Sequence, residues 1–372
     1  MKILIVNSTN NIISGAELAI LDMIKDCSDS FTFEIFTPGR GKLTNFFEKQ
    51  GFKVHYLNIS TKRRKYPGLY HLSSLYFSLF LKKNKFDLLL CNTFAASVRV
   101  SLAAEISNIP LAIYVREYFS KKKKNNLVQL NRAKLIFAVS KDVKNYIGNL
   151  HGNVRVCYDT IDVNEISKRV NQHLKKNLDI NKFNVGFMGR ITSYKQPDLF
   201  IKSFKYLSPE IKNIHFHLVG ASSSKVELQY EKDLKKSIKN AGLTDYITFW
   251  GYRKDSIEIL SEFDVFCMTS DREPFPRTIL ESLIVNTLVI CSNSGGCLEM
   301  IKDNQTGIYF DVKSKNNHKD LADKISEIYF DNKTVESLIF NGNNYVNKEF
   351  KLKKQIKVFI KLIKENFSLN LV

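Results

Sequence analysis

Thirteen short apolar runs separated by helix-like segments constrain this chain more than any other feature. Seven come first: Ile3–Val6, Phe31–Phe36, Lys53–Leu57, Asp87–Cys91, Leu111–Val115, Leu135–Val139 and Arg155–Tyr158. They are continuous rather than alternating, the pattern of parallel strands covered on both faces. Between them lie helical patterns such as Ala16–Asp26, Lys42–Lys49, Leu69–Lys82 and Ala95–Glu105. Strand–helix alternation repeated this often predicts an α/β protein with a doubly wound parallel sheet.

The alternation stops across Asp162–Lys182, a polar stretch containing VNQHLKKNLDINK. It restarts with Asn184–Met188, His215–Val219, Ile247–Trp250, Asp264–Met268, Leu288–Cys291 and Ile308–Phe310, so a second sheet of the same class is expected. A length of 372 residues suits two cores rather than one. The expected organisation is a Rossmann-like domain over 1–165, a linker over 166–182, a second domain over 183–350 and a terminal helix over 351–372. That helix carries Ile356, Phe359, Ile360, Ile363 and Phe367 at i, i+3, i+4, i+7 and i+11, with lysines on its other face.

Composition excludes several classes. At 44% hydrophobic and 25% charged residues, the chain is folded rather than disordered. Its six cysteines are scattered without CxxC spacing, which favours reduced core thiols over zinc or a disulfide framework. The opening MKILIVN is too short for a signal sequence and reads as a first strand. Leu69–Leu81 contains His71 and three serines and cannot span a bilayer. A cytoplasmic protein without a transmembrane anchor is expected.

The net charge of +19 is uneven. Residues 1–150 hold 23 Lys and Arg against 10 Asp and Glu, a net of +13, and the remainder holds 33 against 27, a net of +6. A basic first half implies an anionic partner, which charge alone leaves open among nucleic acid, a phospholipid surface and a phosphorylated substrate. No RRM, KH or helix-turn-helix signature is present, so nucleic acid is not expected.

Three stretches carry chemistry. The first βα turn contains SGAEL rather than G-x-G-x-x-G, but Gly15 stands at a helix start, where free N–H groups favour an anion or where the turn alone needs glycine. The strand-to-helix segment Phe187–Lys195 sets Arg190 and Lys195 just past a strand's carboxyl end, where open α/β sheets bind ligands. Arg can grip a diphosphate bidentately and Lys adds a point charge, although a solvated basic loop has the same composition. The third, Asp264–Gly307, reads as strand, loop, helix, strand, glycine turn and helix. It holds Glu273 on the loop and Glu281 eight residues on, in a helix starting near Arg277, so two carboxylates could reach two ends of one ligand. The spacing alone has little weight. The preceding strand, the Pro-Phe-Pro between and the Gly295-Gly296 turn give it context.

Taken in order, these motifs resemble the GT-B-fold glycosyltransferases of family 4, a large group of retaining, nucleotide-sugar-dependent enzymes. The matching elements are Ser14-Gly15-Ala16-Glu17, Gly189-Arg190 with Lys195, Glu273 with Phe275 and Glu281, Gly295-Gly296 with Glu299, and Asn304–Gly307. The strand Arg132–Ser140 matches as well. The resemblance implies two Rossmann-like domains facing across a cleft, with the terminal helix crossing back to the first. It implies that Arg190 and Lys195 bind the donor diphosphate and that Glu281 takes the ribose hydroxyls. Glu273 would contact the transferred sugar, with the backbone around Phe275 nearby. Gly15 would let the first loop approach the diphosphate, while Tyr252 and Arg253 would meet the base.

Catalysis would then rest on Glu273, Arg190 and Lys195, with front-face attack and no side-chain nucleophile. No metal and no other cofactor is expected, since no DxD or ligand cluster stands in a matching place. Where the family often has His before an acidic residue, this chain has Arg116-Glu117. These are acceptor-side candidates, with Arg116 able to face a leaving group or acceptor phosphate. Pro276 replaces a common glycine and removes one N–H donor.

The expected partners are a nucleotide-sugar donor and a glycan or lipid-linked acceptor, as in bacterial lipopolysaccharide, capsule or exopolysaccharide synthesis. The basic clusters at Lys62–Lys65, Lys82–Lys85 and Lys121–Lys124 add an anionic membrane surface, the inner face of the plasma membrane. The rival readings are a basic nucleic-acid-binding protein and another GT-B enzyme such as a phosphorylase.

Overall fold

The computed structural model describes residues 1–11, 13–27, 31–57, 67–120, 124–173 and 177–367, with backbone alone for 67 and 124–127. Contacts divide the chain into two compact units, one of Met1–Thr160 with the chain from Leu352 onward, the other of Ile161–Lys351.

All seven early apolar runs form strands of the first unit. Its elements are β1 (Lys2–Val6), α1 (Gly15–Lys25), β2 (Thr32–Thr37), α2 (Lys42–Lys49), β3 (Val54–Tyr56), α3 (Pro67–Lys83) and β4 (Leu88–Cys91), followed by α4 (Phe94–Ser107), β5 (Leu111–Val115), α5 (Lys124–Asn131), β6 (Leu135–Ala138), α6 (Lys141–Ile147) and β7 (Val154–Val156). The sheet runs β3-β2-β1-β4-β5-β6-β7 with every pairing parallel. The continuous runs follow from burial on both faces: every residue of β4 and β5 is buried. Because β1 is flanked by β2 and β4, the chain leaves it and β4 on opposite sides. A crevice opens at their carboxyl ends, the position where doubly wound sheets bind ligands. Helix α4 starts where the sequence supplies a cap, the Thr93 hydroxyl accepting from Ala96 N at 3.2 Å, and stops at Asn108 with φ of 57°.

The second unit contains α7 (Val163–Asn171), β8 (Phe183–Met188), α8 (Pro197–Ser203), β9 (Ile214–Val219), α9 (Lys225–Asn240), β10 (Ile247–Gly251), α10 (Ser256–Leu260) and β11 (Val265–Met268). It continues with α11 (Arg277–Ile284), β12 (Leu288–Ser292), α12 (Cys297–Met300), β13 (Ile308–Phe310), α13 (Asn317–Phe330) and α14 (Asn332–Glu349). The sheet order β10-β9-β8-β11-β12-β13 repeats the arrangement of the first unit, with the switch point between β8 and β11. The core stacks Phe200 on Phe216 with ring centroids 4.6 Å apart. Gly186 in β8 leaves room for the Phe263 ring, which a Cβ there would meet at 2.0 Å.

The final helix, α15 (Leu352–Phe367), returns to the first unit and packs on α1. Phe359 is fully buried, 5.5 Å from the Phe137 ring of β6, and Asn153 Nδ2 donates to Asn366 Oδ1 at 2.7 Å. Leu362, absent from the expected stripe, is buried, while Ile360 is half-buried.

The expected linker differs from what forms. Residues 161–182 belong to the second unit, and the polar stretch begins with α7. Asp162 caps it, accepting from Glu165 N at 3.1 Å. Arg169 reaches Glu258 on α10 at 2.8 Å, and Ile166 is the helix's one buried residue. A helix anchored by one apolar side chain and an ion pair leaves no apolar run to detect.

All six cysteines are buried and free. Among the described residues no helix is long and apolar enough to cross a membrane. The basic clusters at 62–65 and 121–123 lie outside the described residues.

Candidate active site

The second unit's switch point gathers the candidate residues. After β8 the backbone turns at Gly189 (φ of 154°), whose N–H donates to Val219 O at 2.9 Å. The facing Gly220 must lack a side chain, because a Cβ would sit 1.8 Å from Gly189 O. The Thr192 hydroxyl then caps a single tight turn by accepting from Lys195 N at 3.3 Å. Pro197 fixes the first turn of α8.

Across the switch point, the loop after β11 is tied to this one. Thr269 Oγ1 donates to Lys195 O at 2.9 Å and to Gln196 O at 3.1 Å. Lys195 Nζ forms an ion pair with Glu273 Oε1, and Ser270 Oγ donates to the same oxygen at 2.8 Å. The pair is largely buried, with Lys195 18% and Glu273 8% exposed. An ammonium has three donors and one goes to Glu273, so the group can still meet anionic oxygens.

The glycine turn after β12 clamps the Glu273 loop from below. Gly296 N donates to Glu273 O at 2.7 Å. Gly295 has φ of 58°, and its Cβ would meet Glu273 O at 2.5 Å; at Gly296 a Cβ would meet Pro274 O at 2.1 Å. The pair of glycines is therefore a requirement of close backbone approach.

Glu281 lies on α11 one turn after Arg277, with Nε and Oε1 3.7 Å apart and both side chains largely buried. Burial pushes the Glu281 carboxyl up, while Arg277 pulls it down. Sequence reasoning took Arg277 only as a helix start, although its i,i+4 spacing to Glu281 was visible. Thr269 and Ser270 were also missed, since short hydroxyls after a strand carry no distinguishing pattern. Phe275 is buried against Phe350, centroids 5.6 Å apart, so its side chain fixes the loop. Pro276 is the N-cap of α11, with φ of −75° and no N–H.

Other expected residues stand apart. Arg190 is well exposed, 3.7 Å from Glu227, a carboxylate that also takes the N–H groups of Ser223 and Ser224 at the start of α9. Tyr252 projects into solvent after Gly251. Arg253 is already engaged by Asp255 at 2.6 Å and by Asn177 at 3.2 Å, and lies 5.0 Å over the Trp250 ring. Its guanidinium holds the Asp255 carboxyl down at about 2.

Gly15, Arg116 and Glu117 belong to the first unit. Gly15 opens α1, and Glu17 accepts from Ser14 N at 2.9 Å and from Ser14 Oγ at 2.5 Å. Arg116, expected to face a ligand phosphate, is held internally. Its Nε donates to both Asp159 oxygens at 2.8 and 3.1 Å, its Nη1 to Asn92 O and to Asn92 Oδ1, and its guanidinium carbon lies 3.6 Å from the Tyr114 ring. Glu117 caps α4, accepting from Ala95 N at 2.9 Å, and burial pushes its carboxyl up. Among the described residues, no group of three His, Cys, Asp or Glu side chains is placed to hold a metal ion.

A cation and a carboxylate at the switch point of the second of two doubly wound sheets is an arrangement for binding a charged group beside a hydroxyl-bearing one. Comparison with known proteins bears on the family and the fold. The family model described as glycosyl transferases group 1 matches residues 168–345, and that of Glycosyltransferase Family 4 matches residues 13–165. HepE of Anabaena, solved in complex with UDP, superposes with a TM-score of 0.83 at 23% identity, covering 98% of this chain and 100% of that one. The UDP-Gal:α-D-GlcNAc-diphosphoundecaprenol α-1,3-galactosyltransferase of Escherichia coli is 23% identical over 352 residues, 88% of this chain and 89% of that one. An N-acetylgalactosaminyltransferase of Campylobacter jejuni is 33% identical over 103 residues, 28% of this chain and 26% of its own length. With two further relatives the matched segments cover 38% and 47% of their lengths. The chain belongs to the GT-B glycosyltransferases of the family 4 type.

Proposed function

We propose that this glycosyltransferase moves a hexose-type sugar, with retention, from a nucleoside-diphosphate sugar to a glycan or lipid-linked acceptor. The observation that carries this reading is the buried Lys195–Glu273 pair at the β8/β11 switch point, held by Thr269, Ser270 and the glycine turn. Lys195 and the exposed Arg190 bind the donor diphosphate. As the bond to the sugar breaks, negative charge builds on the phosphate oxygens, and fixed cations stabilise that charge more than the ground state. Glu273 accepts from hydroxyls of the transferred sugar and Glu281 from those of the ribose. Tyr252 and Arg253 flank the base. The reaction uses no metal, Lys195 and Arg190 supplying its charge. Attack on the front face lets the departing phosphate take the acceptor proton, so no side chain acts as nucleophile.

Support for the donor class comes from HepE, solved with UDP and with UDP-glucose. Support for a lipid-linked acceptor comes from the named substrate of the Escherichia coli relative, and for surface-polysaccharide synthesis from two capsule glycosyltransferases of Staphylococcus aureus. The basic first half suits an enzyme working at an anionic membrane from the cytoplasmic side.

A panel of nucleoside diphosphates, nucleotide-sugars, inorganic phosphate and oligonucleotides, read by thermal shift with and without chelator, tests the reading. Stabilisation by a nucleoside diphosphate that survives chelation and is lost in Arg190→Ala and Lys195→Ala is expected. Preference for phosphate alone makes the chain a phosphorylase, and preference for oligonucleotide makes it a nucleic-acid binder. The anomeric configuration of the product, by NMR, decides retention.

A further inference from the structure

Helix α3 carries its polarity inside out. Its buried face is Tyr70, Ser74, Phe77, Ser78 and Leu81, whereas Leu69, Leu72, Leu75, Tyr76 and Leu79 are 49–67% exposed. The two serine hydroxyls are satisfied within the helix, donating to Tyr70 O at 2.8 Å and Leu75 O at 2.7 Å. On a helix advancing about 100° per residue, the five outward side chains share an arc of roughly 120°. Lys83 continues that arc one turn further on, with Lys82 and Lys85 beside it, all exposed. From Pro67 to Lys85 the sequence contains no Asp or Glu. A helix face meant only for water would be charged, and here the charge is displaced to one end and has one sign.

We propose that this face of α3 seats the enzyme on an anionic lipid bilayer. The leucines enter the boundary between headgroups and acyl chains, Tyr76 lies at headgroup level, and Lys82, Lys83 and Lys85 meet the lipid phosphates. An apolar stripe ending in cations is the pattern of helices that lie in a membrane interface. Charge complementarity selects this occupant over a second copy of the chain, because residues 1–150 carry a net +13 and would repel their own kind. The assignment rests on the reading of a lipid-linked acceptor, to which it adds the contact surface.

The test uses the full chain with vesicles of phosphatidylglycerol and phosphatidylethanolamine, against vesicles of phosphatidylcholine alone. Sedimentation with the anionic vesicles is expected, weakened about tenfold in Leu72→Ser/Leu79→Ser and, at moderate salt, about as much in Lys82→Gln/Lys83→Gln. Circular dichroism and thermal unfolding of both variants should match the parent, since the replaced side chains are exposed. In Tyr76→Trp, emission should shift to the blue on vesicle addition and be quenched by brominated acyl chains. Unchanged sedimentation of the leucine variant, or unquenched emission, overturns the proposal. So does a dimer in solution that the leucine variant dissociates, which would make a second copy the occupant. Vesicle binding is read without nucleotide, and thermal shift with UDP and GDP is run beside it. Failure here therefore leaves the donor site intact, and failure there leaves the membrane result intact.

Discussion

Lys195 and Glu273 each stabilise the other in a site where both are nearly buried, so removing one leaves an uncompensated charge. Lys195→Ala is expected to lower kcat/KM by about 10²–10³, the usual loss when a group that stabilises developing charge is removed. The same variant should unfold at lower denaturant because Glu273 loses its partner. Wild-type kcat/KM in Lys195→Ala, measured with any donor the enzyme accepts, would remove the lysine from the mechanism. A second residue makes a pH prediction. His217 is buried between Trp250, whose Nε1 donates to its Nδ1 at 3.2 Å, and Asn184, whose Oδ1 lies 2.9 Å from its Nε2. The ring is therefore neutral, and burial with neighbouring His215 and Lys182 pulls it from 6.5 down to about 3. Between those values the unfolded chain binds the extra proton, so this contribution is whole above pH 6.5 and declines as pH falls, by about 1.4 kcal/mol per unit. Urea unfolding at pH 7 and pH 5 should show a loss about 2 kcal/mol larger in the parent than in His217→Gln. Equal slopes would mean that the histidine is not the titrating group.

At the scale of elements, the site depends on three loops held by short side chains such as Thr269 and by a close approach of backbone to backbone. The Glu273 loop approaches the turn after β12 so closely that neither Gly295 nor Gly296 has room for a Cβ. Gly296→Ala is expected to destabilise by about 2–3 kcal/mol and to lower activity, because the loop carrying Glu273 must move. Gly152→Ala is the matched control, since its Cβ would meet nothing within 4 Å. If both substitutions cost the same in thermal unfolding, the clamp is not what holds the loop. The Arg116-Glu117 pair holds loops of the first unit, with Arg116 joining Asn92 after β4 to Asp159 through its Nε and Nη1, and Glu117 closing the start of α4.

For the whole molecule, the unusual commitment is that α15 completes the first unit after the second has been built. Phe359 is fully buried there against Phe137. Phe359→Ala should cost about 3–5 kcal/mol by leaving a cavity in the first unit, measured as a shift in the chemical unfolding midpoint. A cost below about 1 kcal/mol would mean that the helix rests on the unit without helping to hold it.

The fold was legible in the chain because each strand is buried on both faces, and that demand writes an apolar run visible without partners. All thirteen runs formed strands, and alternation with helices determined the parallel winding of both sheets. The positions of Lys195 and Glu273 were legible for the same reason, since each follows a strand whose end is marked. What the sequence could not determine is what those side chains touch. The Lys195–Glu273 pairing spans 78 positions and exists only because β8 and β11 are neighbours. Arg116 looked available for a ligand because Asp159 and Asn92 are distant in sequence, and only the sheet order brings them to it. Helix α7 escaped detection because a single buried isoleucine and an ion pair hold it, where a longer apolar stripe would have announced it. Burial is a property each residue advertises by its own chemistry. Partnership is decided by the tertiary fold, because it depends on which elements the winding sets side by side.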